Sequence, residues 1–236
     1  MATRPAEDRS VTHAGEPGLT PRAEQARTAI VEAALRLFRE NGYEAATMRA
    51  IAREAGVSTG NAYYYFGSKD ELIHEFYLRN HAEHAAACRS MLDAEREFAG
   101  RLHGTLTTLI QVLNPYHSFA ATFYKYAAEP ASPLSPFSTE SSAARDASIA
   151  LFREVADGSS ARIDPELRAE LPELLWLYSL GIVLFWVHDT SPERAKTYRL
   201  IDSTVPLADR LVSLARIPVL RGTMREVVSI VRDLRR

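Results

Sequence analysis

The chain has 236 residues, 46% of them hydrophobic and 25% charged, with a formal net charge of -2. That length supports a substantial core, and the near-neutral balance excludes a protein that coats nucleic acid through its overall charge: any DNA partner must be met by a local positive field. The single cysteine, Cys88, excludes an internal disulfide framework and fits a reducing cytoplasm.

Residues 1–21 are polar, carry Pro5, Gly15, Pro17, Gly18 and Pro21, and have no apolar stretch of the kind a secretory signal needs. A disordered arm is expected there. Over residues 22–41, Ala26, Ile30, Ala33, Ala34, Leu37 and Phe38 recur at helical spacing, and Asn41-Gly42 supplies the stop. Thr47 then suits an N-cap before a short helix with Met48, Ile51, Ala52 and Ala55 on its apolar face. Gly56 breaks that helix, and Ser58 caps a second short one through Tyr65. A tight turn at residues 55–58 between two brief helices is what a helix-turn-helix requires, because helices that cross steeply need a turn residue tolerant of unusual backbone angles.

The second short helix has the chemistry of a nucleic-acid reader. Thr59, Gly60, Asn61, Tyr63, Tyr64 and Tyr65 fall within about one and a half turns, and three successive phenols cannot all face a core. Outward hydroxyls can donate to phosphate oxygens, Asn61 can read a base edge, and Gly60 permits close backbone approach. Thr47 and Ser58 mark helix starts, where anions bind well. Between Thr47 and Lys69, Arg49, Arg53 and Lys69 are opposed by Glu54, which leaves a local positive field. The plainer reading, a core stripe, suits Phe66 and to some extent a single tyrosine.

A long helix follows from Lys69 to about Leu92, with Asp70 and Glu71 in its first turn and Leu72, Ile73, Phe76 and Tyr77 on its core face. His81, His84 and Cys88 share one face of it, at a spacing that zinc or copper can use, although such a face is more often simply solvated and no metal is expected. Further helices are expected over residues 98–113, 115–128, 143–156, 165–188, 192–215 and 223–234, the last amphipathic and arginine-rich, with Pro115, Pro165 and Pro192 in first turns. Residues 130–142, rich in proline and serine, read as a loop. The apolar run at residues 174–187 falls short of the roughly 20 residues a membrane span needs, and Pro172-Glu173 suits a helix start, so a buried helix is the better reading and no membrane partner is expected. No strand-like alternation appears. The expected architecture is all-α: a three-helix head followed by a larger helical domain.

The run Ala33-Ala34-Leu35-Arg36-Leu37-Phe38-Arg39-Glu40-Asn41-Gly42-Tyr43, then residues 47–58 (TMRAIAREAGVS) and 60–72 (GNAYYYFGSKDEL), resembles the N-terminal domain of the TetR family. The resemblance implies an all-helical homodimer with two DNA-binding heads (residues 22–68) and a C-terminal domain (residues 69–236) that binds an inducer and dimerises. Matched position by position, it implies phosphate contacts at Thr47, Tyr63 and Lys69, base- or backbone-reading roles for Thr59, Asn61 and Tyr64, and a DNA contact for Arg49. Tyr65 stands where the family often has His, a departure that keeps a phosphate contact available.

The family's C-terminal domains diverge, so the ligand is not implied. An inducer pocket is expected between the C-terminal helices and the long fourth helix, with His103, Tyr116, His117, Phe119, Phe123, Tyr124, Tyr126, Phe152, Trp176 and Tyr178 as its candidates; aromatics at helical spacing are also ordinary core. Collectively they suggest an apolar or aromatic effector with few charges, and no cofactor is implied. Leu174, Leu177, Gly181 and Leu184, with Val205, Leu207, Ala208, Leu211, Val212 and Leu214, are the candidate dimer interface, the alternative being that these helices fill the monomer core. The expected function is a ligand-responsive, cytoplasmic repressor that binds palindromic double-stranded DNA as a homodimer. The alternative is a DNA-binding regulator whose C-terminal domain senses a protein. The sequence has no nucleophile elbow, phosphate loop, HExxH or dinucleotide fingerprint, and an enzyme is not expected.

Overall fold

A computed structural model of the chain describes residues 20–215. Of the expected arm at residues 1–21, Thr20 and Pro21 belong instead to the start of α1, as its cap and first residue; the rest of it and the expected helix at residues 223–234 lie outside the described residues. Within the described residues nine α-helices follow one another: α1 Pro21–Asn41, α2 Met48–Glu54, α3 Thr59–Tyr65, α4 Lys69–Ala94, α5 Phe98–Leu113, α6 His117–Ala127, α7 Ser142–Asp157, α8 Pro165–His188 and α9 Ala195–Leu214. The fold is all-α, with a helix-turn-helix head and a larger helical C-terminal part.

Local chemistry sets the helix starts. The hydroxyls of Thr20, Thr47, Ser58 and Ser68 each accept the backbone N–H three residues on, at 3.1–3.3 Å. This satisfies donors that a helix leaves orphaned. At α4 the cap is reciprocal, because Glu71 reaches back to accept the Gly67 N–H at 2.8 Å. Gly42 ends α1 at φ +81° and Gly56 makes the α2–α3 turn at φ +69°, a region where a side chain would be strained.

Two hydrophobic cores share α4. Its first turns place Leu72, Ile73 and Phe76 in a core with Ile30, Phe38, Ile51, Ala62 and Phe66 of the head. Its last turns place Cys88 and Leu92 in a second core with α5, α7, α8 and α9. Phe119 and Phe123 of α6, and Leu134 from the connection after it, belong to the head's core. Phe38 stacks on Phe119 (ring centroids 5.9 Å apart), and Tyr43 packs edge-on to Phe123 (5.7 Å). The head is therefore not packed on itself alone: three apolar side chains from beyond α4 complete it.

Arg101 ties the second core together. Its guanidinium, 3% exposed, donates to the carbonyls of Leu92 and Glu95 at the end of α4 and of Glu154 and Val155 at the end of α7. Carbonyls at a helix end are short of intrahelical donors, although Glu154 O also accepts the Gly158 N–H at 3.0 Å, and a cation suits the negative end of a helix. Gly158 must remain small, since an added Cβ would fall 2.2 Å from an Arg101 nitrogen.

Two expectations are corrected. Pro172 does not start a helix; it is buried inside α8, which begins at Asp164-Pro165. α8 keeps the expected bounds of residues 165–188, and by length and composition it passes for a membrane span, with mean hydropathy 1.4. Its residues Leu167, Leu171, Leu175, Trp176, Ile182 and Trp186 are core, which explains the composition without a bilayer. Asn114–Tyr116 and Pro192–Arg194 form 3-10 turns rather than α-helix. In the second turn Glu193 and Arg194 adopt positive φ (52° and 60°), a conformation that costs roughly 1–2 kcal/mol per residue.

Hydrogen bonds offset that cost. Arg194 donates to Asp189 O at 2.9 Å and to His117 Nδ1 at 2.9 Å, while His117 Nε2–H donates to Trp186 O at 2.8 Å. Asp189, 4% exposed, accepts from the N–H and hydroxyl of both Ser191 and Thr197. Burial alone would raise its pKa, but these four donors outweigh it and hold the carboxyl below the usual range. Asp189→Ala should therefore lower unfolding free energy by about 2–4 kcal/mol in urea titrations. A carboxyl depressed on folding stabilises above its unfolded pKa and loses that contribution as pH falls towards the folded one. The stability gap between the wild type and Asp189→Asn should thus narrow below about pH 4.

Candidate functional site: an exposed recognition helix above an apolar cavity

α3 is too short to persist alone and is held by Ala62, fully buried in the head, and by Phe66 just beyond its end. With those two facing inward, the remaining side chains are turned out. Thr59, Gly60 and Asn61 are exposed, Tyr63 is 52% and Tyr64 80% exposed, and Tyr65 is half-buried against the core with Tyr64 edge-on to it. Thr47, Arg49 and Ser58 are exposed beside them. Because the Thr47 and Ser58 oxygens accept the capping bonds, their hydroxyl protons remain free to donate outward. Glu54 is drawn away by Arg36, at 3.2 Å, which leaves Arg49 and Arg53 without an acidic ion-pair partner among the described residues.

Lys69 stands apart from this group. Its ammonium donates to Tyr43 O at 2.8 Å and to Glu44 O at 3.4 Å, and lies 4.5 Å from the centre of the Tyr43 ring. The Tyr43 hydroxyl donates to Asp70, and burial together with that carboxylate pushes the phenol's pKa up. Arg27 of α1 meets Glu75 at 2.8 Å, and Arg79, itself 3.2 Å from Glu75 within α4, donates to Thr28 of α1 at 3.3 Å. These bonds lock the head onto α4.

Beneath α6 lies a cavity of about 720 Å³, within the range of small-molecule sites. Of the side chains expected to line it, Tyr116, Phe119, Phe123, Tyr124, Phe152 and Trp176 do so. Four others do not. His103 is on the surface, 2.7 Å from Asp202. His117 is held by Trp186 O and Arg194. Tyr126 turns to the head and packs on Tyr43 at 5.3 Å. Tyr178 bonds to Thr204 on α9. Periodicity identifies aromatic helices but not which way each ring turns. Missed altogether are Phe76, Asn80, His81, Arg145, Phe137 and Trp186, which also line the cavity. A 3.6-residue count along α4 from Phe76 and Tyr77 would have reached Asn80, His81 and His84.

His84 and Cys88 are buried, and His84 Nε2–H donates to Thr105 O at 2.9 Å. Desolvation lowers the pKa of His81 and His84 and raises that of Cys88. Among the described residues no three His, Cys, Asp or Glu side chains gather as a metal site needs.

The expected interface residues divide. Leu174 and Leu177 are partly buried against the core, as is Ala208, and Val205 and Val212 are core residues rather than surface ones. Leu184, Phe185, Leu207, Leu211 and Leu214 are 41–60% exposed. Gly181 is exposed as well, and a Cβ added there would meet nothing. They form one apolar stripe on α8 and another on α9.

Known proteins agree with this architecture. Residues 30–76 match the bacterial regulatory proteins of the TetR family, and residues 101–230 match the tetracyclin repressor-like C-terminal domain. The chain is a member of the TetR family of transcription regulators, and its DNA-binding unit is the helix-turn-helix. It is 52% identical over 50 residues to the transcriptional regulator HbdR of Aromatoleum sp. (strain CIB), spanning 21% of this chain and 22% of that protein. Over 47 residues it is 53% identical to BetI of Rhizobium meliloti, spanning 20% of this chain and 23% of that protein. The likeness to these curated relatives thus covers less than a quarter of their length. A TetR regulator from Nitrosomonas europaea superposes with a TM-score of 0.61 at 19% identity, covering 77% of this chain and 97% of that one. FadR of Bacillus subtilis in complex with stearoyl-CoA gives 0.59 at 14% identity, covering 75% and 96%. At these identities the structures share the fold alone.

Histidines whose pKa is lowered by folding oppose the folded state in acid, because the unfolded chain binds the proton first. Urea midpoints should fall as pH drops below about 6.5, and His84→Gln, which keeps a donor for Thr105, should reduce that fall. Equal acid sensitivity in both proteins would assign it elsewhere.

Proposed function

We propose that the protein is a ligand-responsive repressor, binding a palindromic operator as a homodimer and released by a small apolar effector. The observation that carries the DNA half is the outward display of Asn61, Tyr63 and Tyr64 on a helix whose Ala62 is fully buried. A rigid scaffold holds a polar face that the head does not itself use. In this reading Thr47, Arg49, Ser58 and Tyr63 bind phosphates, with Tyr65 at the edge of that set, and Thr59, Gly60, Asn61 and Tyr64 approach the bases. Lys69 supports phosphate binding mainly by fixing the Tyr43–Glu44 segment, since its ammonium already lies on two carbonyls.

The functional division is a head that begins with α1 at Pro21 and ends at residue 68, and an effector and dimerisation part at residues 69–236. Two exposed apolar stripes on α8 and α9 support the dimer. Paired heads reach successive major grooves when their recognition helices lie about 34–36 Å apart. The cavity supports an effector because Phe76, Phe119 and Phe123 line it and also belong to the head's core. Close-packed interiors transmit displacement. A ligand that binds better to a state with different head spacing weakens DNA binding by linkage. Neighbours of the same fold were solved with stearoyl-CoA and lauroyl-CoA, which makes an apolar effector a consistent choice here. Such a regulator acts in the cytoplasm and without catalysis.

Three outcomes are expected. Footprinting on DNA flanking the gene should give a palindromic site whose affinity falls steeply with salt. Tyr63→Ala should weaken binding to every duplex, whereas Asn61→Ala should alter base preference by about 1–3 kcal/mol at one position; equal losses on operator and random DNA for both would refute the assignment to Asn61. Leu207→Glu with Leu211→Glu should yield monomers in sedimentation and lose the operator, while a variant that remained dimeric would move the interface elsewhere.

A further inference from the structure

Resting on the effector reading above, we infer that the cavity selects an apolar body carrying one carboxylate, seated with its anionic head on Arg145. The cavity's chemistry is lopsided. Its aromatic wall is built by Phe76, Phe119, Phe123, Phe152, Trp176 and Trp186. Where α4 faces α7 the lining turns polar, with Asn80 and His81 on one side and Ser141, Arg145 and Ser148 on the other, while Tyr116, Tyr124, Ser135 and Ser179 add only neutral hydroxyls elsewhere. Spacings of four and three residues put Ser141, just before α7, in line with Arg145 and Ser148 on one face of it.

Charge decides the sign of the ligand. None of the described residues lining the cavity is aspartate, glutamate or lysine, so a cation would find no counter-ion there. Arg145 is the one permanent charge among them. Its Nη1 donates to Pro136 O at 3.0 Å and to Ser138 O at 2.9 Å, which fixes the guanidinium plane. Its Nη2 has no hydrogen-bond partner among the described residues. The nearest carboxylate is Asp146, 3.9 Å from Nε and 74% exposed, where water screens it. A planar, immobilised fork with an unused donor, on a residue that lines an apolar chamber, favours a carboxylate.

The polar neighbours are mixed, because His81 offers this head an acceptor rather than a donor. Ser148 donates to Ala144 O, so at 3.4 Å it receives His81 Nδ1–H and leaves His81 Nε2 unprotonated. Asn80 supplies an amide N–H beside it. A neutral polar head could use these groups without Arg145, which is the distinction an experiment must make.

The two tryptophans of the chain, Trp176 and Trp186, both line the cavity, so their fluorescence reports occupancy directly. The full-length protein is titrated at pH 8 with decanoate, decan-1-ol, decylamine and decanoyl-CoA, and with 2-naphthylacetate and 2-(2-naphthyl)ethanol as a second apolar body. The carboxylate of at least one body should bind at least tenfold more tightly than its alcohol, and decylamine most weakly of the decyl compounds. Arg145→Gln should remove the preference and leave alcohol binding unchanged. Arg145→Lys, which keeps the charge without the fork, should retain part of it, and thermal unfolding checks that both variants fold.

Alcohols binding as well as carboxylates would overturn the inference. So would a preference that survives in Arg145→Gln, tighter binding of decanoyl-CoA than of decanoate, or no tryptophan response to any probe. Operator release is read separately. Carboxylate binding that leaves DNA affinity unchanged keeps the ligand class but rejects the effector reading; alcohol binding that releases DNA does the reverse.

Discussion

The structure depends on the packing of α6 against the head. Phe38 and Tyr43 at the end of α1 meet Phe119 and Phe123, while Phe76 on α4 meets Phe119 edge-on at 5.9 Å. Without α6, the head would expose two aromatic side chains' worth of apolar surface, each worth roughly 1.5–3 kcal/mol of burial. The head is thus stable in this form only while α6 stays where it is. The same three phenylalanines of α4 and α6 form the wall of the cavity. A recognition helix and a ligand chamber that share a wall cannot be repacked independently.

The connection between α6 and α7 strengthens this link. Leu134, 2% exposed, inserts into the head's core. His74 and Tyr77 of α4 bond to the carbonyls of Pro133 and Leu134, at 2.9 and 3.2 Å. A few residues on, Pro136 and Phe137 line the cavity, with Phe137 edge-on to Trp176 at 5.4 Å. One short segment therefore touches both the head and the chamber, and Arg145 holds it from α7. What α4 and α6 do through aromatic packing, this segment does through hydrogen bonds to a backbone.

Much of this is legible in the sequence, and the limits have physical causes. The bounds of helices 98–113 and 165–188 can be read to the residue, because first-turn prolines, caps and apolar periodicity all act within a few residues. The exposed Tyr63 and Tyr64 follow from the same reasoning, since one short helix has one buried face. Which ring of α6 faces the head and which the cavity is not legible: Phe123 and Tyr126 are three apart, and both directions are apolar. Lys69 reads as a surface cation, but the carbonyls that bind it are 25 and 26 residues away. The break at Glu193–Arg194 depends on Asp189 and His117, and local propensity favours helix there. Interfaces between elements are hidden wherever both sides are apolar or the partner is distant in sequence.

Hydrogen exchange of the full chain, with and without its operator duplex, tests the coupling of head and chamber without knowing the ligand. Coupling is reciprocal, so DNA held at α3 should slow exchange at backbone amides of α6 and of residues 133–137, well away from the duplex. Protection confined to α1, α2, α3 and the start of α4, with α6 exchanging as in the free protein, would contradict the account.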